Sequence, residues 1–230
     1  MGNVASSAGD LREHMYVEDT KIKLQYRTDR FHFVICVAAG SGKSSLINAF
    51  RGIKAKSPGT APVGIVETTS EVTRYSDRRP GMPYELFVWY DIPGAGTAGV
   101  PQGKYFITQG LFIFDFIILV YDTRFTEIDA EILANCREFD VPVFIVRSKA
   151  NQHIRNMLDT DEDLTPTEAR EQYIVETRQN IEANLSGLNL YDEKSRCYIV
   201  SSNIMYSMIK GFETAVDGAN CHQGKMRRIT

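Results

Sequence analysis

Gly40-Ser41-Gly42-Lys43-Ser44-Ser45 is the stretch of this chain whose residue types and spacing most directly suggest chemistry. Glycines let successive backbone N–H groups curl around an anion, and a helix starting at Lys43 would aim its positive end at the same point. Lys43 then neutralises the outer phosphates of a nucleotide, and the Ser44 hydroxyl completes a Mg²⁺ shell. Gly40, Ser41, Gly42 and Ser45 form the rest of the cradle. The full pattern G-x-x-x-x-G-K-[ST] puts its first glycine at Val37. A β-branched residue there is strained if the site needs a positive φ.

Four further groups follow in order. Gly64-Ile65-Val66-Glu67-Thr68-Thr69 offers Thr69 as a Mg²⁺ ligand and γ-phosphate sensor, or as an ordinary solvent-facing threonine. Asp91 ends an apolar run and binds Mg²⁺ through water, and Gly94 donates its N–H to the γ-phosphate; the two make a D-x-x-G pattern. Arg147-Ser148-Lys149-Ala150-Asn151 stands where guanine readers carry N-K-x-D, so Lys149 and Asn151 are the base-side candidates. Ser201-Ser202-Asn203 offers a backbone N–H to the guanine carbonyl. Each group alone reads as a loop. All five in this order imply a guanine-nucleotide domain of the P-loop class, with GTP and GDP as substrate and product, and Mg²⁺ held by Ser44, Thr69 and Asp91.

The elements that must position these groups are apolar strands alternating with amphipathic helices. Phe31 to Val37, Phe116 to Tyr121, Val141 to Val146 and Cys197 to Val200 read as buried strands. Val72 to Tyr75 and Tyr84 to Tyr90 flank the turn Asp77-Arg78-Arg79-Pro80-Gly81, too short for anything but an antiparallel pair. Helices follow the phosphate loop (Leu46, Ile47, Ala49 and Phe50 inward, Gly52 closing it), Thr126 with Asp129, and the capping box Thr165-Pro166-Thr167-Glu168. A last helix spans Tyr206 to about Val216. Strict alternation over Lys21 to Arg27 predicts a half-buried strand. The fold class expected is α/β: a P-loop NTPase G domain with a mostly parallel, doubly wound sheet, one antiparallel edge strand and helices on both faces. Ligands bind such sheets at the carboxyl ends of the strands, where every group above falls. The expected division is an N-terminal arm over 1–30, a G domain over 31–217 and a short basic tail over 218–230.

Composition agrees with one globular domain: 230 residues, formal net charge -3 and 43% hydrophobic residues. The acidic balance gives no argument for nucleic acid as a partner. Cys36, Cys136, Cys197 and Cys221 form no C-x-x-C pair and are expected to be reduced, in a cytoplasmic protein. No secretory signal is visible, and the longest apolar run, Leu111 to Tyr121, is too short to span a bilayer and contains Asp115. Met1-Gly2-Asn3-Val4-Ala5-Ser6 fits the N-myristoylation pattern. One acyl chain binds membranes only on the order of 10⁴ M⁻¹, so a second signal, such as Lys21 and Lys23 or the tail Lys225, Arg227 and Arg228, is required.

Gly40 to Gly52, the Gly64–Thr69 loop, Tyr90-Asp91-Ile92-Pro93-Gly94 and Phe144-Ile145-Val146-Arg147-Ser148-Lys149 together resemble the interferon-inducible, immunity-related GTPases, over roughly Phe33 to Val216. The resemblance implies a cytosolic GTPase able to attach to intracellular membranes, often through N-myristoylation. It also implies a homodimer paired across the nucleotide faces, with Glu67 near the γ-phosphate. Relatives carry a C-terminal helical domain that this chain is expected to lack. Four positions depart from the family pattern: Val37, Val63, where the family often has Thr, Ser148 and Asn151. A carboxylate at 151 would accept both guanine N1–H and the amino group, whereas the Asn amide offers one acceptor and sets a donor against a donor. The mismatch costs about 1–3 kcal/mol, which predicts relaxed base preference. Ala95 follows Gly94 where many small GTPases place a water-orienting Gln, leaving Glu67, Thr69 and Gly94 as the catalytic candidates and predicting slow turnover. Two readings stand: a GTPase, or a pseudo-GTPase interaction module with weak nucleotide binding and no turnover. An ATP-using P-loop enzyme is a third.

Overall fold

In the computed structural model, the residues described are 15–37, 42–54, 56–64, 71–81, 83–94, 104–190 and 196–211. In chain order they form α1 (15–23), β1 (Phe31–Val37), α2 (Lys43–Phe50), β2 (Thr73–Ser76), β3 (Phe87–Asp91), α3 (Tyr105–Thr108), β4 (Phe116–Tyr121), α4 (Glu127–Glu138), β5 (Val143–Arg147), α5 (Ala150–Thr160), α6 (Pro166–Gly187), β6 (Cys197–Ile199) and α7 (202–211). Short 3₁₀ turns occupy Tyr84–Leu86 and Leu111–Ile113.

The strands make one sheet in the order β2-β3-β1-β4-β5-β6. All pairings are parallel except β2 against β3, where Thr73 lies opposite Asp91 and Ser76 opposite Val88. The expected fold class is the one observed. β1 and β4 are buried on both faces, which is why they read as continuous apolar runs. Val34, Cys36, Ile117 and Leu119 point into one core with Ile132, Leu133, Ile181 and Leu185. Ile35, Ile118, Val120 and Val146 point into the other with Leu46 and Ile47.

Both capping boxes form. Thr126 and Asp129 cap α4, and Thr165 and Glu168 cap α6 with a proline in its first turn. The turn after β2 is held by Asp77, whose carboxylate accepts from Arg79 Nη2 at 2.6 Å and Trp89 Nε1 at 3.2 Å.

Four expectations are corrected. Lys21 to Lys23 belong to a helix, not a strand. The working period is Val17, Thr20, Leu24 rather than Ile22, Leu24, Tyr26: Leu24 is buried and Val17 packs beside it, while Ile22 is 76% exposed. The strand expected from Tyr84 begins at Phe87, after the 3₁₀ turn. Helix α5, at the end of the Arg147–Asn151 group, was not expected at all. The last helix begins at 202, before Tyr206.

Candidate functional site

β1 delivers the chain to Gly42, which is left-handed at φ 86°, a conformation glycine adopts without steric cost, and α2 starts at the next residue. A Cβ added at Gly42 would stand 3.9 Å from Lys149 Cε, so the stem of Lys149 runs alongside this turn. Lys43 and Ser44 are buried in the first turn of α2, and Ser45 is half-buried. The Ser44 hydroxyl donates to Asp91 Oδ2 at 2.7 Å, joining the helix start to the end of β3. Asp91 is 1% exposed and registers with Ile35 of β1.

A hydroxyl and a carboxylate side by side at the start of a helix fit a small hard cation. Mg²⁺ characteristically takes one or two carboxylates and fills its remaining positions with water and substrate phosphate. Among the described residues no group of three His, Cys, Asp or Glu side chains could hold a metal unaided. Ser44 and Asp91 would therefore hold the ion only together with phosphate. Gly94 follows three residues later, and Tyr105 pins this segment by donating its hydroxyl to the Pro93 carbonyl at 2.8 Å.

The base side is built from the ends of β4, β5 and β6. Lys149 is left-handed at φ 54° and occupies the N-cap position of α5. Its Nζ lies 2.7 Å from Asp122 Oδ2, and His153 Nε2 lies 2.6 Å from Asp122 Oδ1. Burial pushes the Asp122 pKa up, but the hydrogen bonds from Lys149 and His153 outweigh it and leave the group below the ordinary carboxylate value. The loop is tied down by Ser148 N–H donating to Tyr121 O at 2.9 Å and Ala150 N–H donating to Val200 O at 3.1 Å. The second bond sets the start of α5 beside Ser201, which is buried, and Ser202, the first residue of α7. Asn151 is exposed on the first turn of α5, and no hydrogen bond holds its side chain among the described residues. Arg147 points away: it donates to Thr177 Oγ1 at 2.7 Å and covers the Tyr173 ring, anchoring β5 to α6.

Gly42, Lys43, Ser44, Ser45, Asp91, Gly94, Lys149, Asn151, Ser201 and Ser202 thus all lie at the carboxyl-end side of the sheet, as strand polarity required. Gly40, Ser41, Glu67 and Thr69 lie outside the described residues, as does Ala95. The sequence reading missed Asp122 and His153. Their only signals were a polar residue at the end of an apolar strand and a histidine one helical turn beyond Lys149. Of the cysteines, Cys36, Cys136 and Cys197 are free thiols. Burial raises all three, Cys136 to about 12, which suits protonated core residues. Cys221 lies outside the described residues. Among the described residues no helix is long and apolar enough to cross a membrane.

A family model described as interferon-inducible GTPase matches residues 4–207. The chain is 31% identical over 212 residues to interferon-inducible GTPase 5 of Bos taurus, an alignment covering 87% of this chain and 40% of that protein. It is 35% identical over 120 residues to interferon-inducible GTPase 1 of Mus musculus, covering 52% and 28%. The chain therefore spans less than half the length of these relatives. Among solved structures, Era in complex with MgGDPNP and 16S ribosomal RNA superposes with a TM-score of 0.52 at 16% identity, covering 82% of this chain and 57% of that one. Toc33 of Arabidopsis thaliana, a dimerisation-deficient mutant, superposes at 0.50 and 13%, covering 82% and 78%. At such identities these two speak for the fold alone.

Proposed function

The chain belongs to the interferon-inducible GTPase family, and from that premise we propose that it binds GTP and GDP with Mg²⁺ and hydrolyses GTP slowly. The observation that carries this reading is the 2.7 Å bond between Ser44 and Asp91 at the buried start of α2. It sets the two expected cation ligands together beside Lys43, and Lys149 closes over the same turn from the base side. Bound Mg²⁺ would neutralise charge on the outer phosphates. The chain's own residues do the rest: Lys43 and the N-terminal amides of α2 hold the phosphates, and Gly94 offers its N–H to the terminal one. Thr69 completes the metal shell, and Glu67 acts at the γ-phosphate across a homodimer formed through the nucleotide faces. Acylation at Gly2 attaches the protein to intracellular membranes.

A second reading is favoured by Val37 at the first loop glycine, Asn151 at the base and Ala95 after Gly94: a pseudo-GTPase that binds nucleotide weakly and works as an interaction module. Phosphate release from GTP, with Lys43→Ala as control, separates the two. Release by the native chain and not by Lys43→Ala supports the GTPase. Equal background in both leaves the module.

A further inference from the structure

Asn151 is a base-side residue whose chemistry does not match guanine, and its surroundings say what it does match. It lies two residues past Lys149, on the first turn of a helix fixed at Val200, with the start of α7 alongside. No neighbour among the described residues holds its amide, so the group can present its oxygen and its nitrogen in either order. The two sides of this pocket therefore make separate demands. The N–H groups at Ser201 and Ser202 begin α7, where the first amides of a helix have no intrahelical partner. They favour an acceptor at purine position 6, which selects a 6-oxopurine over adenine. Asn151 offers one acceptor and one donor. Its oxygen takes N1–H, common to every 6-oxopurine. Its nitrogen then requires an acceptor at position 2.

Guanine carries an amino donor there. Hypoxanthine carries only hydrogen. Xanthine carries a carbonyl oxygen, and pairs with both ends of the amide. Xanthine also loses a ring proton more readily than guanine, and a neutral amide tolerates the resulting anion where a carboxylate would repel it. We infer that the nucleotide site of this chain takes 2,6-dioxopurine nucleotides, xanthosine di- and triphosphate, in preference to guanosine nucleotides, with Asn151 as the specificity-determining residue. This rests on the proposal that the site binds nucleotide at all. Specificity is a difference of affinities, and a donor set against the base's own donor disfavours the wrong base while the matched acceptor favours the right one.

The test is calorimetric titration of the full chain with the diphosphates of xanthosine, inosine, guanosine and adenosine in Mg²⁺, repeated with Asn151→Asp. The expected order is xanthosine, then inosine, then guanosine, with xanthosine at least about tenfold tighter than guanosine. In Asn151→Asp the order of xanthosine and guanosine inverts. Circular dichroism checks the fold of the variant, whose new carboxylate sits favourably in the first turn of α5. Guanosine diphosphate binding as tightly as xanthosine diphosphate in the native chain overturns this inference and leaves the nucleotide site standing. No heat with any of the four overturns the nucleotide reading, and this inference with it.

Discussion

Asp122 Oδ2 lies 2.7 Å from Lys149 Nζ, and that ion pair fixes the lysine whose stem runs beside Gly42. With His153 on the other oxygen, one carboxylate braces the end of β4 against the start of α5. Asp122→Asn loosens Lys149 and is expected to weaken nucleotide binding several-fold in titration, with the fold intact.

The same carboxylate predicts a pH dependence. Its folded pKa is depressed, so its contribution is full above the unfolded value of about 3.9 and is lost as pH falls through the lower folded value. Because Asp122 and Lys149 keep side-chain exposures of 19% and 36%, the pair is worth about 1 kcal/mol at most. Thermal melts should separate Asp122→Asn from the native chain at pH 7, and the gap should narrow as pH falls below the ordinary carboxylate range.

Arg79→Met should be far more damaging. It strands Asp77, whose side chain is fully buried and also accepts from Trp89. Breaking one side of a buried pair costs about 3–5 kcal/mol. Urea unfolding should show this loss, and Asp77→Asn in the same chain should recover part of it by removing the stranded charge.

Gly110→Ala tests how α1 docks. Gly110 is left-handed at φ 66°, and a Cβ there would come within 2.5 Å of Thr20 Cγ2 and 3.3 Å of Leu24 Cδ1. The strain and the clash together should cost more than about 1 kcal/mol, and limited proteolysis within 15–23 should accelerate. Adding Thr20→Ala should relieve the contact with Cγ2, recovering that part of the loss, and leave the backbone strain.

The two capping boxes should respond unequally to loss of their threonine. Thr165→Ala removes an exposed cap worth about 1 kcal/mol. Thr126→Ala also takes the hydroxyl donor from Asp129, which is fully buried and whose pKa burial already raises, and leaves its carboxylate only the backbone N–H of residue 126. Its cost should be the larger of the two at pH 7 and should shrink as Asp129 is protonated. Denaturant midpoints of both variants at two pH values check this.

The sheet was legible because its strands are short, apolar and bounded by turn residues, and the two capped helices because Thr126 and Thr165 announce their starts. Helix α5 was not, since it begins after a left-handed lysine instead of a capping side chain, and its exposed first turn looks like loop. Helix α1 was hidden by a run in which Lys21, Ile22, Lys23 and Leu24 alternate by accident. The bracket joins Asp122 to Lys149 and His153, 27 and 31 positions further along the chain, which only the crossover through α4 brings together. Local pattern carries no trace of such a pairing.

Since β2 runs against β3, Thr73 and Asp91 are rungs of one ladder. The polypeptide arrives at the sheet margin on the very rung from which it departs toward Gly94. A displacement of the backbone ahead of Thr73 must therefore be felt at the carboxylate that receives the Ser44 hydroxyl. The hairpin yokes its incoming and outgoing arms, so that tension on either is shared by both.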